Sequence, residues 1–359
     1  MLICLSEGAS EQALNLAEKQ QTAAEELRER VGDSPEALGA IADVFEQLAH
    51  LQVASGDFIE AGNAYTKAVE ARIHLLKLYG ETALGLSEFA RAHCFLGRLT
   101  AMDGFLQETI EHFQVALAAL TNAQELQPGE IDLEVELARV TTELGNYFAD
   151  MGEDELAFEY LQEGIDLSEE VVHYTDDSPV ALYAAATCHF TSALVLKQRA
   201  RIDEAITDLE AAQAYLARLN QVTSEPTTID DFFVGVHLAE CLVSQSRYQQ
   251  AFTLLRSIWT NLETLAQKPG SVVPLSDLAL SLLPIIAESA PDPLNPDEIA
   301  FLNALVSALD SAGDTTTANR ADRAVILKAT FSKLIPKAAT SPGLRSRLAS
   351  LLGRELAHR

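Results

Sequence analysis

The feature that most constrains this 359-residue chain is a spacing that comes back every 48 residues. Gly152 has counterparts at Gly104, Gly56 and Gly8, each a further 48 residues upstream. Five residues beyond it, the small residue Ala157 is matched by Thr109, Ala61 and Ala13, and downstream by Ala205. Leu161 is matched by Phe113, Tyr65 and Leu209, and Gly164 by Ala116, Ala68 and Ala212. Even the connector returns: Asp33-Ser34-Pro35 comes back as Asp177-Ser178-Pro179, 144 residues or three periods later. A chain that repeats its turn, small and bulky positions in this way folds by stacking one unit, each burying its apolar face against the next.

The unit reads most clearly between Leu144 and Leu167. Leu144-Gly145 is followed by the aromatic Phe148, a turn at Gly152, and then Ala157, Leu161 and Gly164. That is the spacing of a helix, a tight turn and a second helix packed back on the first. Gly145, Ala157 and Gly164 let the helices approach closely, while Phe148 and Leu161 fill the space between them. The pattern closely resembles a tetratricopeptide repeat, whose signature is a large–Gly pair, an aromatic, and spaced small residues. The resemblance implies an all-α, right-handed superhelical solenoid of antiparallel helix pairs. Its helices are longer than those of the usual unit of about 34 residues. This long-helix form is similar to repeats found beside caspase-like proteases, kinases and nucleotide-binding switch domains in bacterial signalling and defence proteins.

Taken in order, the register predicts a partial N-terminal repeat over residues 1–34 and regular repeats over 35–270. An inserted helix and a degenerate last repeat follow over 271–335, then a basic C-terminal capping helix over 336–359. The chain opens in mid-register, with Gly8 at the turn and Ala13 at the small position. A solenoid that continues beyond this sequence, self-association or a covering subunit at that end would account for it; a short but genuine N-terminus is the alternative. Helix pairs are expected at about Glu36–Ser55 and Phe58–Leu78, Ala83–Met102 and Phe105–Leu126, and Ile131–Met151 and Glu155–His173. Two more follow at about Val180–Arg199 and Asp203–Leu219, and Ile229–Ser246 and Tyr248–Ala266. Ser34-Pro35 and Ser178-Pro179 supply an N-cap hydroxyl and a proline at the first helical position. In the fifth pair the register slips by two residues and Ser246 replaces the turn glycine. An apolar helix near Val273–Glu288, interrupted at Pro284, precedes a last pair at about Asp297–Ala312 and Thr315–Phe331 with its turn at Gly313-Asp314 and Ala318 at the small position. After a linker at Pro336–Pro342, Leu344, Leu348, Leu351, Leu352 and Leu356 form one helical stripe with Arg345, Arg347 and Arg354 off it. The stripe suits a terminal cap, or docking on a partner or on a second copy's acidic surface.

Charge narrows the function classes. The net charge is −28, so the basic footprint that nucleic acid and anionic membranes require is missing. Four scattered cysteines, Cys4, Cys94, Cys188 and Cys241, read as small hydrophobes in a reducing compartment, which places the chain in the cytoplasm. The uncharged run Ser178–Leu196 approaches bilayer-spanning length, but it falls in register as a buried repeat helix.

No phosphate loop, dinucleotide fingerprint, His-Glu-x-x-His or Gly-x-Ser-x-Gly occurs, so neither an enzyme nor a cofactor is expected. His93-Cys94 and Cys188-His189 are adjacent pairs, and neighbours on a helix diverge by about 100°. His237 and Cys241, four apart, face each other, yet two ligands fall short of a zinc site, and no metal is expected.

In the tetratricopeptide family the working surface is a concave groove lined by first helices. Carried over position by position, the resemblance implies groove contacts from Arg91, Arg98 and Met102 in the second full repeat, and Arg139 and Asn146 in the third. Phe190 and Phe233 follow in the fourth and fifth, with Lys197 near the rim. Cys94 and Thr142 fall on groove positions too, as do Asp43 and Glu46 in the first repeat. Three arginines on one surface of an acidic chain suit a partner's acidic or C-terminal segment; alternatively they pair with nearby acids such as Asp43 and Glu46. The expected function is a non-enzymatic scaffold or adaptor holding a partner protein. The alternative is a regulatory sensor arm that binds a peptide or small ligand and controls an effector such as a protease or kinase.

Overall fold

A computed structural model describes residues 19, 21–223, 229–267, 275–311 and 317–357. Gly8, Ala13, Cys4 and the expected turn at Gly313-Asp314 lie outside the described residues, as do the side chains of Ala318, Leu352, Arg354 and Leu356. The described chain is helical throughout, with no strand among the described residues. It divides into two compact units, residues 1–192 and 193–359.

In the first unit α1 (21–31) is followed by α2 (Pro35–Ser55), α3 (Phe58–Tyr79), α4 (Ala83–Met102), α5 (Leu106–Leu126), α6 (Ile131–Met151) and α7 (Asp154–Tyr174). The dividing point falls within α8 (Pro179–Gln198). Helices pack as pairs, α2 with α3, α4 with α5 and α6 with α7, and each pair stacks on the next through α3 with α4 and α5 with α6. The second unit holds α9 (Ile202–Thr223), α10 (Ile229–Ser244), α11 (Tyr248–Ala266), α12 (Leu275–Ser289), α13 (Pro296–Ser311), α14 (Thr317–Lys337) and α15 (Pro342–Ala357). There α10 packs on both α9 and α11, α12 on α11, α13 and α14, and α15 on α13 and α14.

The turns explain why the pairs form. Gly56, Gly104 and Gly152 end first helices at φ of 86°, 82° and 84°, the left-handed region that suits glycine. Each is followed by a residue whose amide reaches back five positions: Asp57 to Gln52, Phe105 to Thr100 and Glu153 to Phe148, at 2.8–2.9 Å. Ala200 and Ser246 make the same turn without glycine, at φ of 57° and 59°. Their successors Arg201 and Arg247 bond to the carbonyls of Leu196 and Leu242 at 2.9 and 2.8 Å. These paired carbonyl contacts satisfy groups that a helix end otherwise leaves open.

Within each pair the small positions are closed to solvent. Ala61, Thr109, Ala157, Ala205 and Ala251 are all fully buried. A Cβ at Gly145 would lie 2.9 Å from the carbonyl oxygen of Ala157, and one at Gly164 would lie 2.1 Å from Thr142 Oγ1. Tyr65, Phe113, Leu161 and Leu209 fill the core between the helices. Start signals act as expected at α2, where Ser34 Oγ accepts from the Ala37 amide. At α13 Asn295 and Glu298 cap one another reciprocally through their side chains and amides.

Two prolines depart from expectation. Pro284 interrupts nothing: α12 runs through it, and Leu282, Leu283 and Ile286 around it are buried. That burial outweighs the hydrogen bond a mid-helix proline removes. Pro336 opens no linker either, because α14 continues to Lys337 and a 3₁₀ turn, Ala338–Thr340, leads almost directly into α15. Lys337 Nζ donates to the carbonyls of Ala287 and Ala290 at the end of α12, and Ala338 is fully buried, which pins the segment. In α15, Leu344, Leu348 and Leu351 are buried, and Arg347 donates to Asn303 and Ser307 of α13. These three leucines of the stripe thus face their own unit.

Candidate partner-binding face

The first helices carry a chain of ion pairs that begins inside the core. Arg72 of α3 is 3% exposed and reaches between α2 and α4, bonding to Asp43 at 2.5 Å, Glu46 at 3.3 Å and Glu88 at 2.5 Å. Glu46, itself buried, also accepts from Arg91 of α4 at 3.1 Å. A buried guanidinium is tolerated only when several carboxylates answer it. The repeat pattern gave no sign of Arg72, since it lies on a second helix at a position where other repeats hold uncharged residues. Its one sequence signal was an arginine set directly between the apolar residues Ala71 and Ile73.

Farther along, Arg98 of α4 crosses to α6 and grips Glu143 with two bonds, 2.9 Å from Nε and 2.5 Å from Nη2. Its guanidinium also lies 5.6 Å from the Phe95 ring centroid. Arg139 pairs with Glu136 one turn back on α6 at 3.0 Å. Lys197 meets Glu240 and lies 3.0 Å from His237 Nδ1. The arginines of the first-helix face are therefore matched to carboxylates of the chain itself. Arg98 keeps about a third of its side chain exposed, 34%. Beside it, one turn along α4, Met102 is 62% exposed. Asn146 and Phe190 are half-buried, and Phe233 of α10 is exposed against a buried Phe232. Cys94 and Thr142, which share the family's groove positions, are buried and line no open surface.

The His/Cys pairs go to other partners. His93 Nδ1 lies 3.0 Å from Nδ1 of His112 on α5, not beside Cys94. His189 contacts Glu169 at 3.0 Å. His237 engages Glu240 at 3.2 Å, away from Cys241. Burial raises the thiols of Cys94, Cys188 and Cys241 above their ordinary range, which suppresses the reactive thiolate. The hydrogen bond from His237, aided by Lys197, holds Glu240 down to about 2 against the opposing effect of burial. Among the described residues no group of three or more His, Cys, Asp or Glu side chains is placed so that it could hold a metal ion. The uncharged run within α8 is long and apolar enough to cross a membrane, but 61% of that window is buried inside the fold.

No family model matches the chain, and no curated protein does. Solved structures do. BtubC (BKLC) from P. vanneervenii superposes with a TM-score of 0.56 at 17% identity, over 74% of this chain and 95% of its own. The apo form of RapI gives 0.55 at 12% identity, over 96% of this chain and 84% of its own. The S. pombe nuclear import adaptor Nro1 gives 0.50 at 12% identity, over 82% and 99%. With the helix pairs described above, these likenesses define the class: an all-α solenoid of tetratricopeptide-like repeats.

Proposed function

We propose that the chain is a non-enzymatic scaffold, built on a 48-residue repeat, that holds a segment of a partner protein on its first-helix face. One observation carries this reading: Arg98, a third exposed, stands one turn from the exposed Met102 on the same helix. That pairing offers a charge-assisted contact next to an apolar one. An acidic or C-terminal segment of the partner would share the guanidinium with Glu143 and lay an apolar side chain on Met102, with Arg91, Arg139 and Asn146 of the same unit as further polar contacts. Phe190 supplies an apolar contact on the first unit, and Lys197 and Phe233 are proposed as contacts of the second unit by itself. Of the similar structures, Nro1 is described as an adaptor, which fits the scaffold reading. A cytoplasmic setting agrees with buried, unreactive thiols.

The test is affinity capture from native extract with wild type and with Arg98→Gln/Arg139→Gln, both checked by circular dichroism. Glutamine keeps a donor for Glu143 and Glu136 while removing the charge. A partner held by wild type and lost by the variant is the expected result. Equal retention would overturn the first-helix assignment, and no capture at all would turn attention to a sensor arm with a small ligand.

A further inference from the structure

A cavity of about 540 Å³ opens between α3, α4 and α5. None of its lining residues belongs to the set proposed above to touch the partner. Part of its wall is apolar, where Leu96 and Leu99 of α4 and Val69 of α3 are buried in the lining. At its mouth Ile59 is 82% exposed and Phe105 57%, each at the start of a second helix. Large apolar side chains standing in water around a cavity mark a binding surface more often than chance exposure does.

The charge of the lining is one-sided. Glu70 of α3, Asp103 after α4 and Glu108 of α5 contribute carboxylates, and the lining includes no lysine or arginine. Among the described residues none of the three carboxylates has an ion-pair partner within 4 Å, whereas Glu46, Glu88, Glu136 and Glu143 of the same unit are each answered by arginine. The other polar side chains of the lining are the neutral Asn63, Thr66 and Thr100, and His93 and His112, which are turned toward each other. Burial pushes His93 down to about 4 and lowers His112 as well, so the pair adds no positive charge near neutrality.

We propose that this cavity is a second docking site, for a partner segment that presents a leucine or phenylalanine next to a lysine or arginine. The apolar side chain enters between Leu96 and Leu99, and the cation meets Glu70 and Glu108. The site is opposite in charge preference to the first-helix face, so the two can hold different segments of one partner or two partners at once.

Fluorescence anisotropy on the full chain tests it, with a labelled peptide of alternating leucine and lysine pairs. Two companion peptides replace every leucine by serine or every lysine by glutamate. Glu70→Gln/Glu108→Gln and Ile59→Ser/Phe105→Ser change only exposed side chains, so the fold should survive. Each should weaken the leucine–lysine peptide by about tenfold or more. The control Glu153→Gln/Glu155→Gln removes exposed carboxylates elsewhere on the same unit and should change nothing. Arg98→Gln/Arg139→Gln should change nothing either, which separates failure of this site from failure of the first-helix face. Equal weakening by the Glu153/Glu155 control would mean that the general negative field of the chain holds the peptide, and would overturn the proposal. Comparable binding of either companion peptide would overturn it as well.

Discussion

The pairs α6–α7 and α10–α11 make the same helix–turn–helix, but at the contact seven residues past the buried alanine of the second helix the small residue changes sides. In α6–α7 the second helix supplies the gap: a Cβ on Gly164 would meet Thr142 Oγ1 and the Ala138 carbonyl of the first helix. Seven residues after the small residue of α11, where α7 has Gly164, stands Ile258, fully large and buried. There the first helix yields instead, because a Cβ on Gly235 would lie 2.4 Å from Ile258 Cδ1. The turns differ in the same spirit. Gly152 takes φ of 84° at little cost, whereas Ser246 is held at 59° by the same backbone bonds. What persists in both pairs is a close approach of the two helices and the shape of the turn; the residue that permits them changes.

Several substitutions can break or sharpen that contrast. Ala157→Leu overpacks the fully buried contact point of α6–α7 and should cost about 1–3 kcal/mol in urea unfolding. Glu159→Leu, on the exposed side of the same helix, should shift stability by less than about 0.5 kcal/mol. Gly152→Ala forces a Cβ into the left-handed region and should cost about 1–2 kcal/mol. The converse changes Ala200→Gly and Ser246→Gly relieve that conformation and should stabilise, by less than about 1 kcal/mol because glycine also loosens the unfolded chain. A loss of stability in either would mean that the left-handed φ at those positions is not the conformation the turn adopts.

A further effect concerns acid. His93 and His112 both have folded-state values lowered by burial, His93 to about 4. An unfolded chain binds protons on these rings near about 6.5, so it outcompetes the folded chain for them below that pH. Their contribution is therefore intact above about pH 6.5 and is lost progressively as the pH falls toward about 4. Urea midpoints at about pH 7.5 and about pH 5 check this. Wild type should lose more between them than His93→Gln, which cannot titrate.

Much of this was legible in the sequence, and the reasons it was not always so are physical. Glycines at 56, 104 and 152 announced their turns because left-handed backbone favours glycine; Ala200 and Ser246 did not, because backbone hydrogen bonds impose the conformation there. Pro284 and Pro336 read as breaks on local grounds, and tertiary burial overrode them. The arginines of the first-helix face could be named, yet not their partners. Glu143 lies 45 residues from Arg98, and nothing along the chain says which carboxylate will face it. Arg72, His112 and the α3–α5 cavity left no trace in the repeat at all, since they arise from the way successive units stack.

The most direct test of the account is a double-mutant cycle at Gly235 and Ile258. Gly235→Ala alone pushes a methyl into Ile258 Cδ1, and Ile258→Val alone removes that methyl group and leaves a gap. Combined, the new Cβ should occupy the vacated space, so the two losses should fall short of additive by about 0.5–3 kcal/mol. Strict additivity would mean that the close approach of α10 and α11 at this point does not exist, and with it the claim that α10–α11 carries on its first helix the small residue that α6–α7 carries here on its second.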